Sequence, residues 1–286
     1  YAKQRRLITL ITNQVYEKEK NNRMMVGILS QIVEFRNGES GSHTLNINVL
    51  TGMFLESLVQ HTDKYNITWS ERLLISTASA LHDIGKIGID DKILNKPGRL
   101  TDEEFKIMQD HTIIGASIIE NMEGYQDEEL MKVAYQICRW HHERYDGKGY
   151  PDGLKGDEIP ISAQVVSLAD VYDALVSERV YKKAYTHEKA IEMILNGECG
   201  SFNPILLECL LDIQDRIKRK VKGSTPEGNP LYMKKEKAVE LKEFEYAKED
   251  LMDSVSKSME KEYTALGNDE SIDFSRGGGQ TQNSDE

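Results

Sequence analysis

The stretch Thr68 to Lys86, TWSERLLISTASALHDIGK, decides the fold class. Thr68 with Glu71 forms a capping box, in which hydroxyl and carboxylate each satisfy the other residue's backbone N–H, ahead of a run from Leu73 to Leu81. That run closes on the doublet His82-Asp83, and Gly85 reads as the helix end. The same grammar recurs on both sides. Thr101 with Glu104 caps a second helix through Phe105 to Met108, and a loop from Gly85 to Leu100, punctuated by Pro97-Gly98, joins the two. Upstream, Leu45, Ile47, Val49, Leu50, Phe54, Leu55, Leu58 and Val59 fit a buried helix from His43 to about His61. Downstream, helical spacing runs from Thr112 to Asn121, Glu128 to Trp140, Ser162 to Val176, Glu188 to Leu195 and Pro204 to Val221. A Gly-rich loop, Tyr145 to Pro160, separates the second and third of these. No stretch alternates at period two and no internal repeat is found, so the expected fold is all-α.

The flanks differ in character. From Tyr1 to Arg36, Leu7, Ile11, Val15, Met25, Ile28 and Ile32 are interrupted by the polar run Glu17 to Asn22, which reads as two helices or one interrupted helix. This segment is a connector from an upstream domain, a dimerising coil or an ordinary packing helix. After Lys222, Gly and Pro break the pattern, a Lys/Glu-laced helical stretch runs from Leu231 to Tyr263, and the end is low-complexity and expected to be disordered. The expected division is a connector at 1–36, a folded domain at 37–222 and a charged, partly helical or disordered tail at 223–286.

Composition narrows the function. In 286 residues, 36 Lys and Arg stand against 48 Asp and Glu, a net charge of −12, which argues against nonspecific binding to DNA or anionic lipid. An anionic substrate must be held by local cations. Cys138, Cys199 and Cys209 are too scattered for a metal knuckle or disulfide framework and read as small buried apolar residues, which fits a reducing, cytoplasmic setting. No apolar run reaches the roughly 18 residues of a membrane span, and the opening YAKQRR lacks a signal-peptide core. Tyr1 as the first residue suggests a fragment of something longer.

Five of the seven His stand beside other candidate ligands or on separate helices near them: His43, which follows Glu39, then His82, His111 and the pair His141-His142, with Asp170 on a further helix. Buried together, so many imidazoles and carboxylates need partners, and metal ions are the economical ones. Imidazole and carboxylate without thiolate suit iron, manganese or catalytic zinc. Successive helical residues point about 100° apart, so His82 and Asp83 serve one centre best where the backbone is turning. An Asp can bridge two ions with its two oxygens. Lys86 could reach a phosphate beside them, or be an ordinary solvated lysine. GKGYP, Gly147 to Pro151, is not a P-loop; its glycines allow close approach to a ligand or simply turn a loop. His61 and His187 lack companion ligands and read as surface or core residues.

In that order, HDIGK, HTIIG, HHERYDGKGYP and DVYDALVSERVYKKA resemble the HD-GYP family of metal-dependent phosphohydrolases, over roughly Glu34 to Leu211. The resemblance implies an HD-domain-like helical bundle that hydrolyses cyclic di-GMP to pGpG or GMP through a metal-bridging hydroxide. By position it implies that His82, Asp83, His111, His141, His142 and Asp170 are metal ligands, Asp83 the bridge, with Glu39 and His43 allowing a third ion. The cofactors implied are two or three divalent ions, iron or manganese. Asp83 and Lys86 become the catalytic residues; Lys86, Gly149, Tyr150, Pro151, Arg179 and Lys182 become the substrate contacts, and Asp173 a support for a ligand or the loop. Tyr181 reads equally as a base-stacking or packing residue. One departure stands out: Asn46 occupies a position where many relatives carry a basic residue. The family further implies an upstream receiver or sensor domain, and a homodimer through the N-terminal helices is open. The competing readings are a non-catalytic nucleotide-sensing or partner-binding relay, and a hydrolase of another cyclic dinucleotide.

Overall fold

The computed structural model describes residues 2–37, 42–177 and 183–222. The chain divides into two units, Asn21–Pro226 and a second made of Tyr1–Lys20 with Glu227–Glu286. Of the second, the described part is helical, residues 2–20. The first unit carries the core and the site.

The described residues form ten α-helices: α1 (Ala2–Arg36), α2 (Ser42–His61), α3 (Trp69–Ser79), α4 (Asp91–Leu94), α5 (Asp102–Gln109), α6 (His111–Glu120), α7 (Glu129–Trp140), α8 (Ile161–Val176), α9 (His187–Leu195) and α10 (Pro204–Lys222). The described residues contain no strand. Both capping boxes form as predicted, Thr68 with Glu71 and Thr101 with Glu104. Helix α2 packs on α3, α8 and α10, and α7 on α3, α6 and α8. Their shared core holds Phe54, Leu55, Ile137, Leu168, Tyr172, Leu206 and Leu210, all essentially without exposure. Helix α8 is buried on most of its circumference, and such a helix can carry a carboxylate into the interior. Among the described residues no helix is long and apolar enough to cross a membrane.

Several expectations need correcting. The N-terminal segment is one continuous helix, because Glu and Lys in the polar run are good helix formers and Lys20 pairs with Glu17 one turn away. The loop after His82-Asp83 contains a 3₁₀ turn, Ile84–Gly88, and the short α4. Helix α3 closes at Ser79, so Gly85 is not its end but lies inside the 3₁₀ turn. A Cβ there would lie 1.9 Å from the His111 carbonyl oxygen and 2.4 Å from the Gly115 nitrogen, so Gly85 permits the turn to lie directly on α6. Cys138 and Cys209 are buried, whereas Cys199 is only partly so. The tail from residue 223 lies outside the described residues.

Candidate metal centre

Helix ends deliver most of the candidate ligands. His43 lies in the first turn of α2, His82 and Asp83 in the turn after α3, His111 opens α6, His141 and His142 close α7, and Asp170 projects from within α8. Asp83 has φ −100° and ψ 10°, the turning backbone that an adjacent His-Asp pair needs to address one place.

Two groups of donors result. In one, donor atoms of Asp83, His111, His141 and His142 lie within 4.8 Å of one another; in the other, those of His43, His82 and Asp170 do the same. Asp83 faces both. Its Oδ1 is 3.4 Å from His111 Nε2 and 3.9 Å from His141 Nε2, while its Oδ2 is 3.2 Å from His82 Nε2. Asp170 Oδ1 lies 3.6 Å from His43 Nε2 and 3.9 Å from His82 Nε2.

The other ring nitrogens explain why these imidazoles present Nε2. Nδ1 of His82 donates to Ser79 O at 2.9 Å, that of His111 to Met108 O at 2.7 Å and that of His141 to Ile137 O at 2.9 Å. Nδ1 of His43 donates to Asp173 Oδ2 at 2.7 Å. A ring that donates through Nδ1 in its neutral form has a bare lone pair on Nε2, which is the arrangement a metal ligand needs. Nε2 of His111 and Nε2 of His141 then face each other at 3.4 Å, two lone pairs with no proton between them. His43 Nε2, His82 Nε2 and Asp83 Oδ1 are buried without a hydrogen-bond partner. Such orphaned donors cost free energy unless a cation joins them, so the residues fit divalent metal ions.

With no ion between them, the buried charges divide the set: His141 and His142 stay neutral while His82 carries a proton. Burial opposes a charge on His82, but Asp83 and Asp170 outweigh it and hold the imidazole up to about 9. Burial also opposes the Asp83 carboxylate, yet Lys86 and His82 keep it well below the usual range. His141 goes the other way: burial, then His82 and His111, press it down to about 3. Burial, with His141 and His111, also holds His142 well below the ordinary imidazole range.

Lys86 Nζ sits 2.7 Å from Asp83 Oδ2, at the edge of both groups. The Tyr150 ring lies over His142, centroids 4.8 Å apart, with Phe105 at its edge. The Tyr150–Pro151 peptide bond is cis. Gly149 does permit a close approach, but to this chain's own backbone: a Cβ there would lie 2.4 Å from Arg144 N and from Glu143 Cα. Glu143, unremarked in the sequence reading, ties the loop down by accepting from Asp152 N at 2.7 Å and Gly153 N at 2.9 Å. Glu39, Arg179, Tyr181 and Lys182 lie outside the described residues. His61 and His187 are indeed apart from the centre, paired with Asp212 and with the Tyr172 hydroxyl.

Sequence reasoning also missed the inner face of α1. Ser30 Oγ donates to Ala80 O at 2.5 Å. Glu34 Oε1 accepts from Thr44 N at 2.6 Å and from the Thr44 hydroxyl, which secures the residue after His43. Arg36 donates to the carbonyls of Lys86 (3.2 Å), Ile87 and Ile89 (2.8 Å), clamping the turn that follows Asp83. Asn46 donates to Asp173 Oδ1 at 2.8 Å, so the departure from the family pattern supplies a neutral partner to the carboxylate that orients His43. The E-x-R spacing before ESGSH was the only sequence signal for the α1 anchors, and nothing in it reports tertiary contact.

The HD-domain family model matches residues 28–202, and the chain belongs to that family. Its HDIGK and HHERYDGKGYP strings are those of the HD-GYP group. A probable cyclic di-GMP phosphodiesterase of Vibrio cholerae serotype O1 is 40% identical over 209 residues, covering 72% of this chain and 47% of that protein. A 3'3'-cGAMP-specific phosphodiesterase 2 of the same organism is 37% identical over 205 residues, covering 72% of this chain and 37% of that protein. The chain therefore spans less than half the length of these relatives. Among solved structures, an HDG"Y"P protein from Bdellovibrio bacteriovorus aligns with TM-score 0.46 at 18% identity, over 71% of this chain and 68% of that one.

Proposed function

We propose that this chain is the catalytic part of a metal-dependent phosphodiesterase that hydrolyses cyclic di-GMP to linear pGpG, with GMP from a second cleavage, in bacterial second-messenger signalling. The observation that carries the reading is Asp83, one carboxylate whose two oxygens face two separate sets of imidazoles. Asp83, His111, His141 and His142 would hold one ion, and His43, His82 and Asp170 with the other Asp83 oxygen a second; Glu39, four positions before His43 in the sequence, allows a third. Carboxylate and imidazole without thiolate suit iron, manganese or catalytic zinc, and the family resemblance selects iron or manganese among them. When bound, the ions supply Lewis acidity, an activated water and charge neutralisation for a phosphoryl group.

The chain's own residues do the rest. Asp83 fixes the spacing of the two groups and, with Lys86, stands at the reacting centre. The Lys86 ammonium, already held beside Asp83, meets a phosphate oxygen and offsets the charge that develops in the transition state. Arg179 and Lys182 are assigned to the substrate's second phosphate, which a net charge of −12 makes necessary. Tyr150 and Pro151 form the rim and Gly149 lets the loop close beneath it. The domain is assigned to 37–222, as the cytoplasmic output module of a protein with an upstream receiver or sensor domain, homodimeric through its N-terminal helices.

Anaerobically metal-loaded protein incubated with labelled cyclic di-GMP should release pGpG, and Asp83→Ala should release none. Binding without cleavage would favour a non-catalytic relay instead. The 37% identical relative named for 3'3'-cGAMP makes that dinucleotide the competing substrate, and comparison of kcat/KM for the two decides.

A further inference from the structure

Helix α5 has no buried residue and supplies none to the core, and its aromatic side chain, Phe105, is 48% exposed. The helix is nonetheless fixed at both ends. Its first turn is held by the Thr101–Glu104 capping box and by Lys96 Nζ, which donates to Glu104 Oε2 at 2.5 Å. Its last turn is tied to the metal centre, because the carbonyl that orients the His111 ring belongs to Met108. Phe105 lies one turn before Met108, and its ring makes a T-shaped contact with Tyr150, centroids 6.3 Å apart at 82°. Tyr150 in turn lies over His142. An exposed aromatic ring thus stands one ring beyond the one that covers a candidate metal ligand.

Chemistry selects what meets that ring. Phenylalanine has no donor, acceptor or charge, so it serves a flat apolar group. Asp102, Glu103 and Glu104 occupy the first turn of the same helix, which disfavours a phosphate there but not an uncharged ring. In a nucleotide, base and phosphate are one sugar apart, so a phosphate at the metal centre carries its base to the rim where Tyr150 and Phe105 stand. Aromatic side chains stack on any base, because every base has a π-face.

We propose that Phe105 is a substrate contact, the platform on which one purine of the cyclic dinucleotide stacks while a phosphodiester lies at the metal centre. This deepens the reaction assigned above and rests on it. A platform without a hydrogen-bonding group holds guanine and adenine alike, so Phe105 supports affinity without choosing between cyclic di-GMP and 3'3'-cGAMP.

Steady-state kinetics of the metal-loaded full chain tests this. Phe105→Ala should raise KM for cyclic di-GMP roughly 10- to 100-fold, and by a similar factor for 3'3'-cGAMP, with kcat, metal content and melting temperature retained. Phe105→Trp should keep KM near the wild-type value. Ile107→Ala, at an exposed residue about 200° round the same helix, should leave KM unchanged. Fluorescence gives a readout independent of turnover: cyclic di-GMP should quench manganese-loaded Phe105→Trp beyond the background of Trp69 and Trp140, and should not do so for Ile107→Trp. An unchanged KM in Phe105→Ala beside an active wild type overturns the proposal alone and leaves the face to a macromolecular partner. A fall in kcat with loss of metal makes Phe105 a brace for the Tyr150 loop and also overturns it, and factors for the two dinucleotides that differ tenfold overturn base-tolerant stacking. Absence of quenching in Phe105→Trp overturns the platform even where Phe105→Ala fails to fold. Wild-type protein that neither binds nor cleaves either dinucleotide overturns the assigned reaction and the platform with it.

Discussion

Replacing Gly85 by Ala tests whether the turn after Asp83 sets the centre through contact with α6. The added Cβ would stand 1.9 Å from His111 O, 2.4 Å from Gly115 N and 2.9 Å from Gly115 Cα. All three are backbone atoms, so no rotamer change relieves the overlap. Ordinary contact begins near 3.4 Å, so the turn must withdraw by about 1.5 Å, several times the roughly 0.5 Å that a metal constellation tolerates. Asp83 and His111 lie across that same contact, 3.4 Å apart. We expect about 3 kcal/mol of destabilisation, a fall in melting temperature of roughly 6–12 °C for a domain of this size, and metal affinity reduced at least about 10-fold. Calorimetry of metal-free protein and metal analysis after dialysis read the two effects. Where glycine merely ends a helix in ordinary backbone, Ala stabilises by about 0.4–1 kcal/mol, so an unchanged or raised melting temperature with metal retained would refute the reasoning. Gly27, with nothing within 4 Å of an added Cβ, is the matched control and should gain stability on substitution by Ala.

Asp83→Asn should lower metal content at both donor groups and abolish turnover; elemental analysis finding a full complement of metal would sink the shared-carboxylate arrangement. Asp173→Ala removes the acceptor that holds the His43 ring and should weaken metal binding at the His43 group roughly 10–100-fold while sparing the His111 group, and a titration showing equal loss at both contradicts this. In metal-free protein His82 is held at about 9, above its ordinary 6.5, so its stabilisation is complete below 6.5 and lost as pH rises through 9. His141, depressed to about 3, stabilises above 6.5 and loses that contribution as pH falls toward 3. Urea midpoints should therefore peak near pH 6.5, and a plateau extending across both limbs would contradict the charge assignments.

Where residue type and spacing carry the information, the sequence was legible. The two S/T-x-x-E capping boxes act within four residues and form as read. The structure brings His43, His82, Asp83, His111, His141, His142 and Asp170 together in two neighbouring donor groups, a gathering that residue type and clustering could signal in the sequence. The 3₁₀ turn at Ile84–Gly88 and the four-residue α4 were hidden, being too short to show periodicity. Gly85 was read by its local conformational freedom, whereas its neighbours are backbone atoms of His111 and Gly115 on another helix, which no local pattern records. Glu34 and Arg36 looked like ordinary charges near a helix end because their partners are 10 and about 50 residues away.

The three anchors of α1 lie within two turns of a single rod. A twist of that rod by a few degrees would displace the start of α2, the residues before His82 and the turn after Asp83 in concert. One helix thus braces all three ligand-bearing segments from the same side.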